Sequence, residues 1–394
     1  MRTFRSLRHR NYRLYFAGQL VSLVGSWTQI TALMWLAHQY TDSARWPAFL
    51  AAVQIGPTFL LGPWGGSLAD RVPKRGLIMR TQCVFLSCAL ALLGLYLFDA
   101  LTVTAMLIVM FVHGIVQAID LPARLAFVPG LVARADLANA VALNSLLFNV
   151  ARAIGPALAG VLLALGPNGT LWCFAINAAS YVVVIVALAW IRVPPEASDA
   201  PPASDVGGFR VLARTPGLLA LVLIAGLVGA GGWPLLPLLP SLSAKVFQTG
   251  EAGYGTLLSC IGLGALAGAL TVATFATEVR RFILLFGGLL LVSLAMVGLS
   301  LTLSLTMASV CAVIFGCGMI LFFATGQSVV QLGTADADRG KVMGIWAMML
   351  SAGVPLGNLV FGPAADEFGV TKVIVVQAGV ISLAAFLLLI RRPK

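Results

Sequence analysis

Residues 282–332 read FILLFGGLLLVSLAMVGLSLTLSLTMASVCAVIFGCGMILFFATGQSVVQL and contain no Asp, Glu, Lys or Arg. A helix crosses a hydrocarbon core of roughly 30 Å with about 20 apolar residues, so this run is too long for one span and suits two. Lipid offers the backbone no hydrogen-bond partner, so each passage must be a helix that satisfies itself. The reading divides the run into spans at Phe282–Leu301 and Leu305–Val330.

Working outward, blocks of the same kind fill the chain. They fall at Leu14–Ala37, Pro47–Leu68, Gly76–Phe98, Thr102–Asp120, Leu137–Leu165, Leu171–Ile191, Leu218–Leu242, Gly253–Ala276, Val342–Phe361 and Val373–Ile390. About twelve spans are therefore expected, in an all-α polytopic membrane protein. Composition agrees: 60% of the 394 residues are hydrophobic and 10% charged, where a soluble domain carries about 25% charged residues. The basic stretch Met1–Arg13 leads into an apolar block too long for a signal-peptide core, so that block is taken as the first span, retained.

The net charge of +11 points first to a nucleic-acid partner, but its placement argues otherwise. Of the 25 Lys and Arg residues, only Arg45, Lys245 and Lys372 fall in one alternating set of loops, and Arg152 lies within a span. The others share the opposite side, which the positive-inside rule assigns to the cytoplasm together with both termini. Nucleic acid is excluded as a partner, and membrane lipid is implied. The six cysteines lie within apolar blocks without CxxC spacing, so neither a disulfide framework nor a metal site is indicated. No cofactor is expected.

Between Arg192 and Thr215 the composition turns polar and proline-rich, with Pro194, Pro195, Glu196, Asp199, Pro201, Pro202 and Asp205. Such a segment reads as a linker. It suggests an N-terminal six-helix bundle at 1–192, a cytoplasmic linker at 193–216 and a C-terminal bundle at 217–394. The two halves echo each other: Ala135-Asp136 matches Ala335-Asp336, Pro156 matches Pro355, and Trp190-Ile191-Arg192 matches Leu389-Ile390-Arg391.

The loop after the second span reads Gly66-Ser67-Leu68-Ala69-Asp70-Arg71-Val72-Pro73-Lys74-Arg75. It resembles the major facilitator superfamily signature G-x-L-A-D-R-x-G-R-K, with Pro73 in place of glycine. Further segments are similar to the enterobactin-exporter-like and drug-efflux branch. They are Phe4-Arg5-Ser6-Leu7-Arg8, Asn11-Tyr12-Arg13, Gly18-Gln19, Gly25-Ser26-Trp27, Asp120-Leu121-Pro122-Ala123-Arg124 and Asn144-Ser145 through Gly155-Pro156. The resemblance implies two six-helix bundles that rock about a central cavity. It also implies a cytoplasmic gate latch at Gly66, Asp70, Arg71, Lys74 and Arg75. Gly66 is expected to permit close helix approach, and the three basic residues to lie at headgroup level. Gly155-Pro156 resembles the Gly-Pro motif that many exporters carry in this helix.

Polar side chains line single faces of several spans. Gln19, Ser22, Ser26 and Gln29 share one side of the first, His113, Gln117, Asp120 and Arg124 one side of the fourth, and Ser145, Asn149, Arg152 and Pro156 one side of the fifth. An ionised group at mid-bilayer costs on the order of 3 kcal/mol, so it should face protein or water. Asp120 and Arg124 lie toward the cytoplasmic end and suit a gate network. His113 and Gln117 are placed to bond each other. The family's proton-antiporter pattern has an arginine where Phe111 stands, so this chain lacks it.

By the resemblance, spans one, four, seven and ten line the cavity. Mapped here, the substrate-binding residues are Gln19, Ser26, Trp27, Gln29, His113, Gln117, Arg152, Trp233, Phe322 and Gln327. Such a lining suits a small amphipathic organic molecule, a drug, siderophore or metabolite. Trp233-Pro234 with Pro237 and Pro240 predicts a broken seventh helix. The implied function is export across a bacterial inner membrane by a monomer, coupled to an ion gradient, with protons one candidate. Import and lipid flipping on the same fold stay open. An enzyme is not expected, since the chain holds three His and almost no intramembrane acids. No catalytic residue is assigned. A P-loop is absent, and Gly262-Leu263-Gly264 with Gly268 lacks dinucleotide-loop spacing.

Overall fold

A computed structural model describes residues 5–166, 168–192, 208–275, 280–335 and 338–391. Among them there are helices and turns but no strand. Six helices precede the linker: α1 (Arg10–Thr41), α2 (Arg45–Arg71), α3 (Lys74–Leu97), α4 (Val103–Phe127), α5 (Leu137–Ala164) and α6 (Gly169–Trp190). After it come the short α7 (Gly208–Ala213), α8 (Pro216–Gly232), α9 (Leu235–Ser241), α10 (Gly250–Phe275), α11 (Arg281–Leu301), α12 (Leu305–Leu332), α13 (Arg339–Phe368) and α14 (Val370–Ile390). Most of the expected linker lies outside the described residues.

The charge-free run divides as its length required, into α11 and α12 with Thr302–Ser304 between them. The seventh span is broken where Trp233-Pro234 predicts: α8 stops at Gly232, α9 begins at Leu235, and a π turn follows at Leu242–Val246. Proline has no N–H to donate and its ring crowds the preceding turn, which interrupts the helix at this point.

Eleven helical segments among the described residues are long and apolar enough to cross a membrane. The second helix, α2, is not one of them, although its 27 residues suffice in length. Gln54, two tryptophans, four glycines and three prolines dilute its hydropathy. Large apolar side chains such as Leu60, Trp64, Phe98 and Leu303 stand exposed, the reverse of a soluble surface. This is a multi-pass membrane protein.

The chain folds into two compact units. One lies within Met1–Leu33 and Val53–Pro202, the other within Met34–Ala52 and Ala203–Lys394. The six-plus-six reading would have kept Met34–Ala52 with the first bundle; packing assigns that stretch to the second unit. In the first unit, α3 packs on α4 and α6, and α5 on α6. Its core joins Tyr12, Tyr15, Phe85, Phe127 and Tyr181, with Tyr15 edge-on to Phe127 and Phe85 stacked on Tyr181. In the second unit, α12 packs on α10 and α11, and α8 on α13 and α14. Gly264 lies against the backbone of Val313 where α10 crosses α12, so these glycines serve helix contact.

Candidate transport site and inner gate

In the first unit the polar faces converge into one buried network. Asp120 is fully buried and Arg124 nearly so, one helical turn apart on α4, and Asp120 Oδ2 meets Arg124 Nε at 2.6 Å. From α3, Thr81 Oγ1 donates to Asp120 Oδ1 at 2.6 Å and Gln82 Nε2 at 3.1 Å. From α1, Gln19 Oε1 accepts from Arg124 Nη1 at 2.8 Å. Three helices are thus tied through two opposite charges that offset each other away from water. Thr81, Gln82 and Tyr181 carried a signal that the sequence reading passed over, since each is a polar group inside an apolar span.

Higher on α1, Ser26 Oγ donates to the Ser22 carbonyl and lies 3.1 Å from Tyr181 Oη. Ser26 therefore serves the contact between α1 and α6. Trp27 and Arg152 come together, with the guanidinium carbon 5.5 Å from the indole centroid. Delocalised positive charge over an aromatic face is favourable, more so when desolvated. This pairing exists because α1 and α5 cross closely at Gly155, where an added Cβ would stand 2.4 Å from Trp27 Cβ and 3.0 Å from the Val24 carbonyl oxygen. Thr28 Oγ1 bridges the crossing by donating to the Gly155 carbonyl at 3.1 Å. Pro156 follows, and its missing N–H removes the helical bond to the Arg152 carbonyl.

Gln19 Nε2, Gln29 Oε1 and His113 Nδ1 are among the buried polar atoms that make no hydrogen bond among the described residues. His113 does not bond Gln117 as expected. Its ring lies 4.5 Å from that of Phe85 instead, and Gln117 is half-buried. The side chains of Ser145 and Asn149 lie outside the described residues.

In the second unit, Trp233 stacks on Phe323 at 6.2 Å, and Phe322 meets Phe323 edge-on at 5.2 Å. Phe322 and Phe323 are both buried. Gln327 is exposed.

The inner loop also differs from expectation in one place. A Cβ on Gly66 would meet nothing, whereas one on Gly65 would stand 2.0 Å from the Ala118 carbonyl oxygen, so Gly65 provides the close approach to α4. Arg75 Nε and Nη2 donate to the Leu188 and Ala189 carbonyls at 2.8 Å, closing the C-terminal end of α6. Arg71 is exposed and Lys74 half-buried, and the Asp70 side chain lies outside the described residues. The N-terminal 3-10 turn is fastened nearby: Arg5 Nε and His9 Nε2 each lie 2.9 Å from Asp136, and Ser6 Oγ donates to Asn139 Oδ1 at 2.8 Å.

Apolar spans around buried polar networks, one of them broken, fit a membrane transporter. A family model described as transmembrane secretion effector matches residues 1–393, and the chain belongs to this major facilitator family. It is 25% identical to the staphyloferrin A transporter of Staphylococcus aureus over 91% of either chain. It is 27% identical to the enterobactin exporter EntS of Escherichia coli O1:K1, over 90% of this chain and 85% of the relative. A bacterial homologue of the iron transporter ferroportin, solved in its inward-facing state, shares the fold with a TM-score of 0.78 at 16% identity, over 98% of this chain and 99% of that one.

Proposed function

We propose that this protein exports a small amphipathic organic molecule of the siderophore kind across the bacterial inner membrane by alternating access, coupled to an ion gradient. The observation that carries the reading is the full-length likeness to two siderophore transporters, one of them an exporter. The site supports it. Trp27 and Arg152 set an aromatic face and a cation side by side within spans, and Gln19, Gln29 and His113 bring polar atoms with hydrogen bonds still to make. An apolar body with dispersed polar groups meets its complements there. The charge bias supports a topology with both termini in the cytoplasm. The protein acts as a monomer, each chain holding both repeats.

Cells that express the chain, loaded with radiolabelled catecholate, hydroxamate or carboxylate siderophores, test the proposal. Faster loss of at least one compound than from cells with an empty vector is expected. Equal retention of every compound would remove the siderophore reading.

A further inference from the structure

Charge stops at Arg13 on α1 and returns at Arg192 beyond α6, with no Asp, Glu, Lys or Arg from Leu14 to Thr41 or from Ala153 to Ile191. The two boundaries adjoin within the first unit. Arg10 Nη1 donates to the Trp190 carbonyl at 3.3 Å, and Asn11 Nδ2 to the Arg192 carbonyl at 2.8 Å. Three exposed arginines, Arg10, Arg13 and Arg192, thus gather where α1 begins and α6 ends. Among the described residues no carboxylate pairs with any of them, in contrast to Arg5, which meets Asp136. Trp190 stands beside them 62% exposed, and exposed tryptophan favours the membrane–water interface.

A groove of about 400 Å³ runs along the same helices, deeper in the spans. Leu20, Val21 and Val24 of α1, Ile154 of α5, and Ile176 and Val183 of α6 form its walls. Small residues close its floor: a Cβ on Gly25 would stand 2.5 Å from Ser180 Oγ, and that hydroxyl already donates to the Asn177 carbonyl. Helical periodicity connects groove and arginines. Leu20 and Val24 lie seven and eleven residues after Arg13, and Val183 lies seven before Trp190, offsets that return to one helix face. Ala17, Val21, Val183 and Val186 along these faces are exposed. Seven helical residues measure about 10 Å, so the groove falls within one leaflet of a hydrocarbon core of roughly 30 Å.

We infer that α1, α5 and α6 hold one anionic phospholipid, an acyl chain in the groove and the phosphodiester among Arg10, Arg13 and Arg192. Apolar walls accept any lipid tail, so they give hold without choice. Choice lies in the headgroup. Three cations without carboxylate partners favour a net negative lipid over a zwitterionic one, whose ammonium they repel. The site is built within the first unit and is independent of the exported substrate.

Native mass spectrometry of the full chain in detergent, with dioleoyl phosphatidylglycerol or dioleoyl phosphatidylcholine added at equal concentration, tests it. Phosphatidylglycerol should be held at least about fivefold more tightly, and Arg13→Gln should remove most of that preference, since one basic residue near an anionic lipid is worth about that factor. Arg192→Gln carries the same comparison if Arg13→Gln fails to insert. Lys372→Gln, which removes an exposed cation of the second unit, should leave the preference unchanged. Val183→Trp fills the groove and should weaken phosphatidylglycerol, while soluble glycerol phosphate should not displace it. Equal retention of the two lipids would mean unselective lipid only and would overturn the site. An equal loss in Lys372→Gln would mean diffuse attraction to a basic chain and would overturn it as well. So would full displacement by glycerol phosphate, or unchanged binding in Val183→Trp, because either result removes the groove.

Discussion

Arg124 Nε lies 2.6 Å from Asp120 Oδ2 on the same helix face, yet its Nη1 hydrogen bond goes to Gln19 on another helix. The pair thus acts twice, balancing charge within α4 and fastening α4 to α1, while Thr81 and Gln82 fasten it to α3.

Removing one charge of that pair strands the other in the protein interior. Arg124→Met should lower the stability of the purified protein by about 3–5 kcal/mol. The double change Asp120→Leu with Arg124→Met should cost less than Arg124→Met alone. Thermal unfolding in detergent reads both, and a double variant weaker than the single one would contradict the account.

The crossing of α1 and α5 has no space for a methyl group at Gly155. Gly155→Ala should destabilise by about 1–3 kcal/mol, as overpacking does. Thr28→Val, which removes a hydroxyl shared between the Val24 and Gly155 carbonyls, should cost about 0.6 kcal/mol. The order of the two, read from unfolding midpoints, checks that close backbone contact outweighs the hydrogen bond.

Arg75 closes the end of α6 with two hydrogen bonds at a half-buried site. Arg75→Gln should cost about 1 kcal/mol, and Arg75→Lys less, because an ammonium reaches one carbonyl at a time. Hydrogen exchange of the last turn of α6 should rise in Arg75→Gln. Protection unchanged there would contradict the capping of α6 by Arg75.

Trp27 and Arg152 are proposed to meet the substrate. Trp27→Ala should raise the half-saturating substrate concentration about tenfold, and Arg152→Gln should reduce transport more than it reduces thermal stability. Concentration-dependent efflux, paired with an unfolding curve for each variant, separates binding from folding.

The spans, their number within one, the split of 282–332 and the break at Trp233-Pro234 were legible because each is written in contiguous residues. Hydropathy and proline act locally, so a single sequence carries them. Asp120 and Arg124 were recognisable as charges that a bilayer would not tolerate unpaired, but their partners on α1 and α3 were not, since no local period links Gln19 to Arg124. Arg75 shows the same limit: its charge suggested the headgroups, and only packing reveals the α6 carbonyls.

The central claim is export, and polarity of transport decides it. Inverted inner-membrane vesicles carrying the chain should accumulate a labelled siderophore when energised, and lose it when an ionophore collapses the gradient. Right-side-out vesicles should not accumulate it. Accumulation confined to right-side-out vesicles would contradict the account and make the protein an importer.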